Sequence, residues 1–441
     1  MLGMLRRISH PAIVPLASIL ILDCSQSPLS HCSDRPSAST EKQHTAASEQ
    51  DARGVRPPGR SQAAITRLGR EFHVTVENIG SRGRPRYRAN TATTDGDCRD
   101  DDLALLKSIE NLKELYLWDP VFTDRCAEHV ASVTGLELLS IQRTYVTDAG
   151  LARLATLPKL KELHLVDSHG LLTDRGLACL AKLRSLQRLT LSGPQFSDEA
   201  GKHVGKLTNL QFLEFGGGRI TDRVFARIAP LKSLEELRIA SYWRRGNEVT
   251  GITGVGISRL RLKSLKKLEL SGPGVTGRGL EVLADIPSLR SLDLQDAHLN
   301  DRGLRALSKV SQLRSLNLSR QSIGDDGLAE LSALANLEEL VLDGTSVSDS
   351  GLRHLASLVK LRRLSLRRTQ GRICITDAGL RHLTGLKELE ELDLYQTGVT
   401  DTGIANLKSL KKLTTLSLQN TAVTEPAKAR LCEALPRLII R

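Results

Sequence analysis

Leucines recur along residues 112–441 in a pattern that combines two periods. The pattern is L-x-x-L-x-L, then four variable residues, then V-T-D-x-G-L-x-x-L-x-x-L, with a usual step of 24 residues. The first half, as in Leu340-Val341-Leu342, alternates side chains and predicts a strand with one buried face. The second half, as in residues 351–358, spaces leucines three apart and predicts a helix. About thirteen such units open at Leu112, Leu136, Leu160, Leu186, Leu210, Leu234, Leu265, Leu289, Leu313, Leu337, Leu361, Leu389 and Leu413.

One unit of this kind cannot bury its own leucines, so the units are expected to stack. Stacking joins the leucines into one continuous core and produces a solenoid. The predicted fold class is α/β, with a parallel β-sheet on the concave face and short α-helices on the convex face. The repeat overrides the estimate of about three domains that a length of 441 residues would give.

The repeat resembles that of the leucine-rich repeat family. The V-T-D-x-G-L half, as in Val399-Thr400-Asp401-Thr402-Gly403-Ile404, is similar to repeats of many bacterial proteins and of the repeat half of F-box proteins. The resemblance covers about residues 100 to 441. It implies a horseshoe-shaped solenoid that serves as a scaffold for protein–protein interaction.

An acid recurs where each predicted helix begins, and we interpret it as a helix cap. Its carboxylate, like the Thr or Ser before it, can accept the free amide hydrogens of the first turn and suits the helix dipole. Helices are expected to start more loosely where Gly254, Gly277 or Glu425 replaces it. The column, for which capping is favoured over metal binding, comprises Asp124, Asp148, Asp174, Asp198, Asp222, Asp301, Asp325, Asp349, Asp377 and Asp401.

Residues 1–24 resemble an export signal. Arg6 and Arg7 precede an apolar run at residues 11–22 that is too short to span a bilayer. Cys24 is the candidate lipidation site, since it resembles the modified cysteine of bacterial lipoproteins, although Asp23 stands where that family has a small residue. Plain secretion, an uncleaved anchor, a mis-assigned start and a disordered cytoplasmic tail are the alternatives. We therefore expect export to the periplasm or cell surface, with membrane attachment only through the N-terminus, and a cytoplasmic location as the alternative.

The remaining N-terminal sequence divides into a linker and a cap. Residues 25–60 are rich in Ser, Pro, Gln, Arg and Ala, which predicts a disordered linker. Residues 61–111 are the expected N-terminal cap, with a helix over 63–70, a strand over 72–76 and a helix from Asp101 to Ile109. Residues 112–441 form the repeat domain, and residues 438–441 predict a last strand that ends bare.

The charge and the cysteines argue against nucleic-acid binding and a zinc site, and they leave one possible disulfide. The formal charge of +12 is spread along the chain, with only a short basic run at 362–368, so a nucleic-acid partner is not favoured. The seven cysteines contain no C-x-x-C pair, so a zinc site has no support. Cys98 and Cys126 flank the first repeat and are a candidate disulfide if the protein is exported. No cofactor is expected.

Residues between and just after the strand leucines are expected to face the concave side. Trp, Tyr and Arg exposed there are the usual anchors of protein interfaces. Insertions in the units opening at Leu160, Leu234 and Leu361 all follow the strand and predict one elaborated rim. The candidate partner-binding residues are Tyr116, Trp118, His164, Arg238, Tyr242, Trp243, Arg244, Arg245, Arg367 and Tyr395.

The sequence favours a non-enzymatic scaffold that binds a protein partner on this face and rim. An intracellular adaptor is the second interpretation, although residues 1–100 contain no leucine-rich helical segment like that of F-box proteins. The third is an enzyme assembled from inner-face residues such as His164, Glu214 and Asp293. For His164 no Ser, Cys or acid partner follows from the pattern, and no phosphate loop, nucleophile elbow or metal motif is present.

Overall fold

The structure is a computed structural model that describes residues 59–81, 83–91, 98–166, 169–216, 219–240, 251–367 and 375–441. All of them belong to one compact unit, Gly54–Arg441. The candidate lipidation site Cys24, the signal and linker segments up to residue 58, and Tyr242, Trp243, Arg244 and Arg245 lie outside the described residues. Within the described ranges, no helix combines the length and apolar composition needed to cross a bilayer.

The strands form a single sheet in which sequence order and spatial order coincide. The first two strands pair antiparallel and every later pair is parallel, which is the arrangement expected from stacked strand–helix units. The strands are β1 Thr75–Asn78, β2 Tyr87–Asn90, β3 Leu112–Trp118, β4 Leu138–Gln142, β5 Glu162–Val166, β6 Arg188–Ser192, β7 Phe212–Gly216, β8 Glu236–Ala240, β9 Lys267–Leu270, β10 Ser291–Asp293, β11 Ser315–Asn317, β12 Glu339–Val341, β13 Arg363–Ser365, β14 Glu391–Asp393, β15 Thr415–Ser417 and β16 Ile439–Ile440.

The helices that alternate with these strands are short, and several are 3-10 rather than α. The α-helices are α1 Gly59–Glu71, α2 Asp124–Ala131, α3 Asp148–Leu154, α4 Asp198–Val204, α5 Arg223–Ile228, α6 Asp301–Leu307, α7 Asp325–Leu331, α8 Asp349–Leu352, α9 Asp377–Leu380, α10 Asp401–Ala405 and α11 Glu425–Ala434. The 3-10 helices are Asp100–Ser108, Gly176–Lys182, Val255–Arg259, Leu280–Asp285, Arg353–Ser357, Arg381–Gly385 and Asn406–Ser409.

Leucines from strands and helices meet in one continuous apolar cluster, as the repeat predicted. Leu115, Leu139 and Leu316 from strands and Leu151 and Leu304 from helices are almost fully buried in it. A fully buried leucine contributes about 1.5–3 kcal/mol, so this layer is the main stabilising element. The helices therefore cover the leucine side of the sheet, and the strand residues between the leucines face the other way.

The predicted capping role of the aspartate column was wrong. In most units the Thr or Ser before the aspartate accepts the first-turn amide, as where Thr147 Oγ1 accepts the amide of Ala149, while Asn300 does so before Asp301 and Gly324 provides no side-chain cap before Asp325. The aspartate instead reaches the next unit: Asp124 accepts the Thr147 amide at 2.7 Å and the Thr147 hydroxyl at 2.6 Å. We call this series of inter-unit contacts the Asp ladder. It runs Asp100–Thr123, Asp124–Thr147, Asp148–Thr173, Asp174–Ser197, Asp198–Thr221 and Asp222–Thr253, then Asp301–Gly324, Asp325–Ser348, Asp349–Thr376, Asp377–Thr400 and Asp401–Thr424.

The glycine of T-D-x-G is explained by the same ladder. A Cβ added at Gly150 would meet the Asp124 carboxylate of the previous unit, and Gly351 stands in the same relation to Asp325. The Gly150 amide also donates to Asp124 at 3.1 Å. Three residues of the motif thus take part in one inter-unit contact. The Thr caps its own helix and donates to the Asp of the previous unit, the Asp accepts from the Thr of the next unit, and the Gly leaves space for the Asp carboxylate of the previous unit.

The ladder is interrupted where Gly254 and Gly277 replace the acid. The helices at these two positions, Val255–Arg259 and Leu280–Asp285, are 3-10 helices. Each is preceded by a glycine with positive φ, Gly254 at +93° and Gly279 at +84°, and neither has a side-chain cap. Here glycine permits a close backbone approach, because a Cβ on Gly277 would meet the backbone of Gly303. The expectation of looser helix starts thus corresponds to an uncapped 3-10 turn.

The N-terminal region closes the first repeat. Helix α1 begins earlier than expected, and β1 lies a few residues later than the predicted strand. Ser61 links α1 to the end of the 3-10 helix Asp100–Ser108, because its hydroxyl donates to the Ser108 carbonyl and accepts from the Glu110 amide, both at 3.0 Å. The candidate disulfide is not formed: Cys98 and Cys126 are free and buried. Burial raises the pKa of Cys98 to about 12 and shifts that of Cys126 in the same direction.

Candidate functional site: the open face of the sheet

The residues that alternate with the buried leucines of β3–β15 form what we call the open face. The parallel register places the residues between the leucines in one row across neighbouring strands. This first row runs Tyr116, Ser140, His164, Thr190, Glu214, Arg238, Glu269, Asp293, Asn317, Val341, Ser365, Asp393, Ser417. The predicted column is therefore a continuous row in space.

A second row of the open face was missed by the sequence reasoning. It lies two residues earlier on each strand and carries much of the charge. Strand alternation contains the signal, since residues i and i+2 share a face. The second row runs Glu114, Leu138, Glu162, Arg188, Phe212, Glu236, Lys267, Ser291, Ser315, Glu339, Arg363, Glu391, Thr415.

Tyr116 and Trp118 stand together at the N-terminal end of the open face. Both are only partly buried. The Arg88 guanidinium lies 5.6 Å from the Tyr116 ring centroid and pairs with Glu114 at 2.7 Å. The Trp118 amide donates to Thr91 Oγ1 at 2.9 Å, which joins β3 to the cap. These contacts hold two aromatic side chains in place while leaving part of each ring accessible.

His164 is buried rather than solvent-facing, with a side chain only 8% exposed. Its Nε2 lies 2.9 Å from Glu162 Oε1, so it does have an acid partner, which the sequence reasoning had not found. Burial pushes the pKa of Glu162 upward, but the hydrogen bond and charge of His164 and the charge of Arg188 outweigh it and lower the pKa. Ser140 is its register neighbour, but that hydroxyl accepts from Gln142 Nε2 at 2.9 Å.

Arg238 is the centre of an ion-pair cluster. Its Nη2 lies 2.7 Å from Glu236 Oε1 and its Nε lies 3.5 Å from Glu269 Oε2. Lys267 adds a second contact to Glu236 at 3.2 Å. Burial opposes ionisation of Glu236, yet the charges of Arg238 and Lys267 prevail and lower its pKa. The guanidinium of Arg238 is thus largely occupied within the protein.

Glu214 adjoins this cluster in the row, but Arg238 pairs with Glu236 and Glu269 instead of Glu214. Across the described ranges, no residue donates a hydrogen bond to it. Burial raises its pKa, and the Glu269 and Glu236 charges add to that effect, while the Arg238 and His164 charges oppose it. Phe212, the residue before it on this face, is covered by two guanidinium groups, with Arg188 at 4.0 Å and Arg238 at 5.3 Å from its ring centroid.

Arg367 and Tyr395 lie near each other towards the C-terminal end. The Arg367 guanidinium is 4.9 Å from the Tyr395 ring centroid, and its Nε is 3.6 Å from Asp393 Oδ2. Asn420 Nδ2 donates to the Tyr395 hydroxyl at 2.9 Å. The structure therefore brings together Tyr116 with Trp118 and Arg367 with Tyr395, but at separate parts of the sheet.

The two rows carry more negative than positive charge. The two rows contain nine carboxylates and four basic side chains, so their formal charge is −5, whereas the whole chain has a formal charge of +12. The basic members are Arg188, Arg238, Lys267 and Arg363; the acidic ones are Glu114, Glu162, Glu214, Glu236, Glu269, Asp293, Glu339, Glu391 and Asp393. Among the residues that the structure describes, no group of three or more His, Cys, Asp or Glu side chains is arranged to hold a metal.

Comparison with known proteins agrees with the repeat and the sheet. The Leucine Rich repeat family matches residues 286–308, which is one unit of the solenoid. With a repeated leucine pattern and one parallel strand per unit, the chain has the leucine-rich repeat fold. No curated protein matches the sequence.

Solved structures match this chain at low sequence identity and with TM-scores below 0.5. An internalin (InlF) of Listeria monocytogenes is 20% identical, with 79% of this chain and 90% of that one covered and a TM-score of 0.43. A leucine-rich repeat protein of Leptospira interrogans is 18% identical, covering 76% and 91%, with a TM-score of 0.41. Yeast Rad7, crystallised in complex with Elc1, is 21% identical, covering 72% and 81%, with a TM-score of 0.44.

Proposed function

We propose that this chain is a non-enzymatic scaffold that binds a protein partner on the open face of its sheet. The observation that carries the proposal is the pair of rows across thirteen strands, in which varied polar, charged and aromatic side chains stand on a uniform leucine layer. Buried leucines fix the backbone, whereas the facing residues change from strand to strand. Such variation suits recognition of one particular surface.

The dimensions of this face suit a protein partner. Thirteen strands at a spacing of about 4.8 Å extend over roughly 58 Å, which accommodates an interface of about 800 Å² per partner. The strands are fixed before binding, so ordering the site adds little to the free-energy cost of association. An extended, prearranged surface of this kind favours a macromolecule over a small ligand.

Aromatic anchors support the same proposal. Tyr116 and Trp118 hold partly accessible rings at one end, and Tyr395 beside Arg367 does so further along. Buried aromatic and arginine side chains dominate the binding energy of most protein interfaces. The insertion residues Tyr242, Trp243, Arg244 and Arg245 follow β8 directly in the sequence and are proposed as part of the same interface.

The test is a cross-linked pull-down from the native host. Wild type is compared with a Tyr116→Ala, Trp118→Ala, Trp243→Ala variant and with a Val255→Ala, Val359→Ala control, which removes apolar side chains that are exposed (53% and 55%). All proteins are first shown to be folded by circular dichroism. A partner lost only by the aromatic variant supports the proposal. Retention by every variant contradicts the open face, and no captured partner contradicts the scaffold function.

Two further parts of the proposal have their own tests. We propose that His164 is not catalytic, since its imidazole is buried and Ser140 donates no hydrogen bond to it; a turnover lost in a folded His164→Ala variant would overturn this. We also propose export, on the strength of the N-terminal sequence. The mass of the mature N-terminus checks it, and an intact Met1 in a soluble cytoplasmic fraction would contradict it.

A further inference from the structure

We propose that the partner presents a basic segment to the open face, and that Glu214 anchors one of its lysine or arginine side chains. This inference rests on the proposed function and specifies the chemistry of the partner. It concerns the central strands β6–β8, where the ion-pair cluster around Arg238 leaves Glu214 without a hydrogen bond or ion pair to any described residue.

Charge complementarity selects a basic partner. The open face carries a formal balance of −5, although the protein as a whole is basic. A basic segment would therefore be attracted to this face and repelled by the remaining surface. Electrostatic complementarity of this kind sets specificity and association rate more than total affinity. The same balance disfavours an acidic peptide or a nucleic acid on these strands.

The neighbours of Glu214 on this face do not include a described cation that pairs with its carboxylate. Its neighbours in the row are Thr190 and Arg238, and Arg238 directs its N–H groups to Glu236 and Glu269. The next residue on this face is Gly216, which lies so close to Ser192 that a Cβ there would meet the hydroxyl. Thr190 and Gly216 are thus small, uncharged neighbours of Glu214 that offer no cation to its carboxylate.

A second polar group in the same row lacks a hydrogen bond to the described residues. The His164 side chain is only 8% exposed, and no described residue forms a hydrogen bond with its Nδ1, although its Nε2 lies 2.9 Å from Glu162 Oε1. His164 and Glu214 flank Thr190 in the row. A buried polar atom without a partner is rare in folded proteins. A peptide lying across β5–β7 would place a cation at Glu214, next but one to His164 in the row.

The electrostatics of Glu214 give the inference a pH dependence. Burial raises its pKa, the Glu269 and Glu236 charges act in the same direction, and the Arg238 and His164 charges do not cancel them. A bound cation would favour the ionised form, so affinity should increase as the pH rises through the raised pKa. Replacing Glu214 with Gln should abolish this dependence without unfolding the protein, because it removes a charge that the fold disfavours.

The experiment measures binding of octaarginine to the full chain by fluorescence anisotropy, with octaglutamate as the opposite-charge probe. Wild type is compared with Glu214→Gln and with the control Glu433→Gln, which removes the same charge from an exposed position on α11. We expect octaarginine to bind wild type and Glu433→Gln with the same affinity. Its affinity for Glu214→Gln should be about tenfold lower. The thermal midpoint of Glu214→Gln should equal or exceed that of wild type.

Each other outcome separates this inference from the proposed function. Equal octaarginine binding by wild type and Glu214→Gln, or binding of octaglutamate in its place, overturns the basic-segment inference. A host partner that is lost on the aromatic substitutions but kept by Glu214→Gln leaves the scaffold function standing and rejects Glu214 as the anchor. Loss of the host partner on Glu214→Gln, with an unchanged thermal midpoint, supports both.

Discussion

The repeats on either side of the centre differ from those at the centre in how successive units are joined at their helix starts. Outside the centre, an aspartate of one unit accepts two hydrogen bonds from the Thr or Ser of the next, as for Asp325 and Ser348, except that Asp301 accepts only the amide of Gly324. At Gly254 and Gly277 this contact is absent, and glycine backbones approach closely instead. Successive units of the solenoid are therefore joined at their helix starts in two ways, by aspartate hydrogen bonds or by close packing of glycine backbones.

The sheet and leucine layer are continuous through both kinds of junction. Strands β8, β9 and β10 keep the parallel register across the interruption, with Leu237, Leu268 and Leu292 aligned and buried. The difference shows that the Asp ladder orients the helix starts, while the leucines and strand hydrogen bonds hold the units together. The interruption also follows the segment 241–250, where the repeat gains its longest insertion.

The largest expected effect is the loss of a ladder carboxylate. Asp325→Ala leaves the Ser348 amide and hydroxyl without their acceptor and should lower the free energy of unfolding by about 3 kcal/mol. Asp326→Ala is the matched control, because this exposed neighbour lies in the same first turn of α7. It should cost no more than about 1 kcal/mol through the helix dipole. Urea unfolding measures both, and equal losses would restore the helix-start interpretation.

A smaller effect is expected from adding a methyl group at the interruption. Gly277→Ala brings a Cβ against the Gly303 backbone, which cannot rotate away, and should lower the free energy of unfolding by about 2 kcal/mol. Gly385→Ala, where nothing lies within 4 Å, is the control and should change it by less than about 0.5 kcal/mol. A harmless Gly277→Ala, measured by urea unfolding, would mean that the two junctions are not distinct.

The smallest effect is electrostatic and concerns the pKa of Asp401 in the last contact of the Asp ladder, Asp401–Thr424. The Thr424 amide and hydroxyl donate to Asp401 at 2.7 Å each, and these bonds hold its pKa below the ordinary value of 3.8. The stabilisation is therefore complete above pH 3.8 and is lost as the pH falls through the lowered pKa. A carbon-detected NMR titration should find this low pKa in wild type and a higher one in Thr424→Val. An identical pKa in the two proteins would contradict the contact.

Local sequence was sufficient for the repeat and its layers but not for the partners of individual side chains. The columns headed by Leu112 and Tyr116 follow from strand and helix periods alone, so the fold and first row were predictable. The role of Asp124 was assigned incorrectly, because its partner Thr147 lies 23 residues away in the next unit. The charged second row, including Glu162, was overlooked although the alternation that placed the first row also implied it.

The sequence by itself determined the number of units, the leucine core and which strand residues share a face, because these depend on local periodicity. Only the tertiary structure decided that Asp325 bridges units, that His164 is buried and that Glu214 receives no hydrogen bond from the described part of the chain. These properties depend on contacts between side chains of neighbouring strands or helices, more than twenty residues apart in the chain. Periodicity places such residues side by side but does not determine which of them pair.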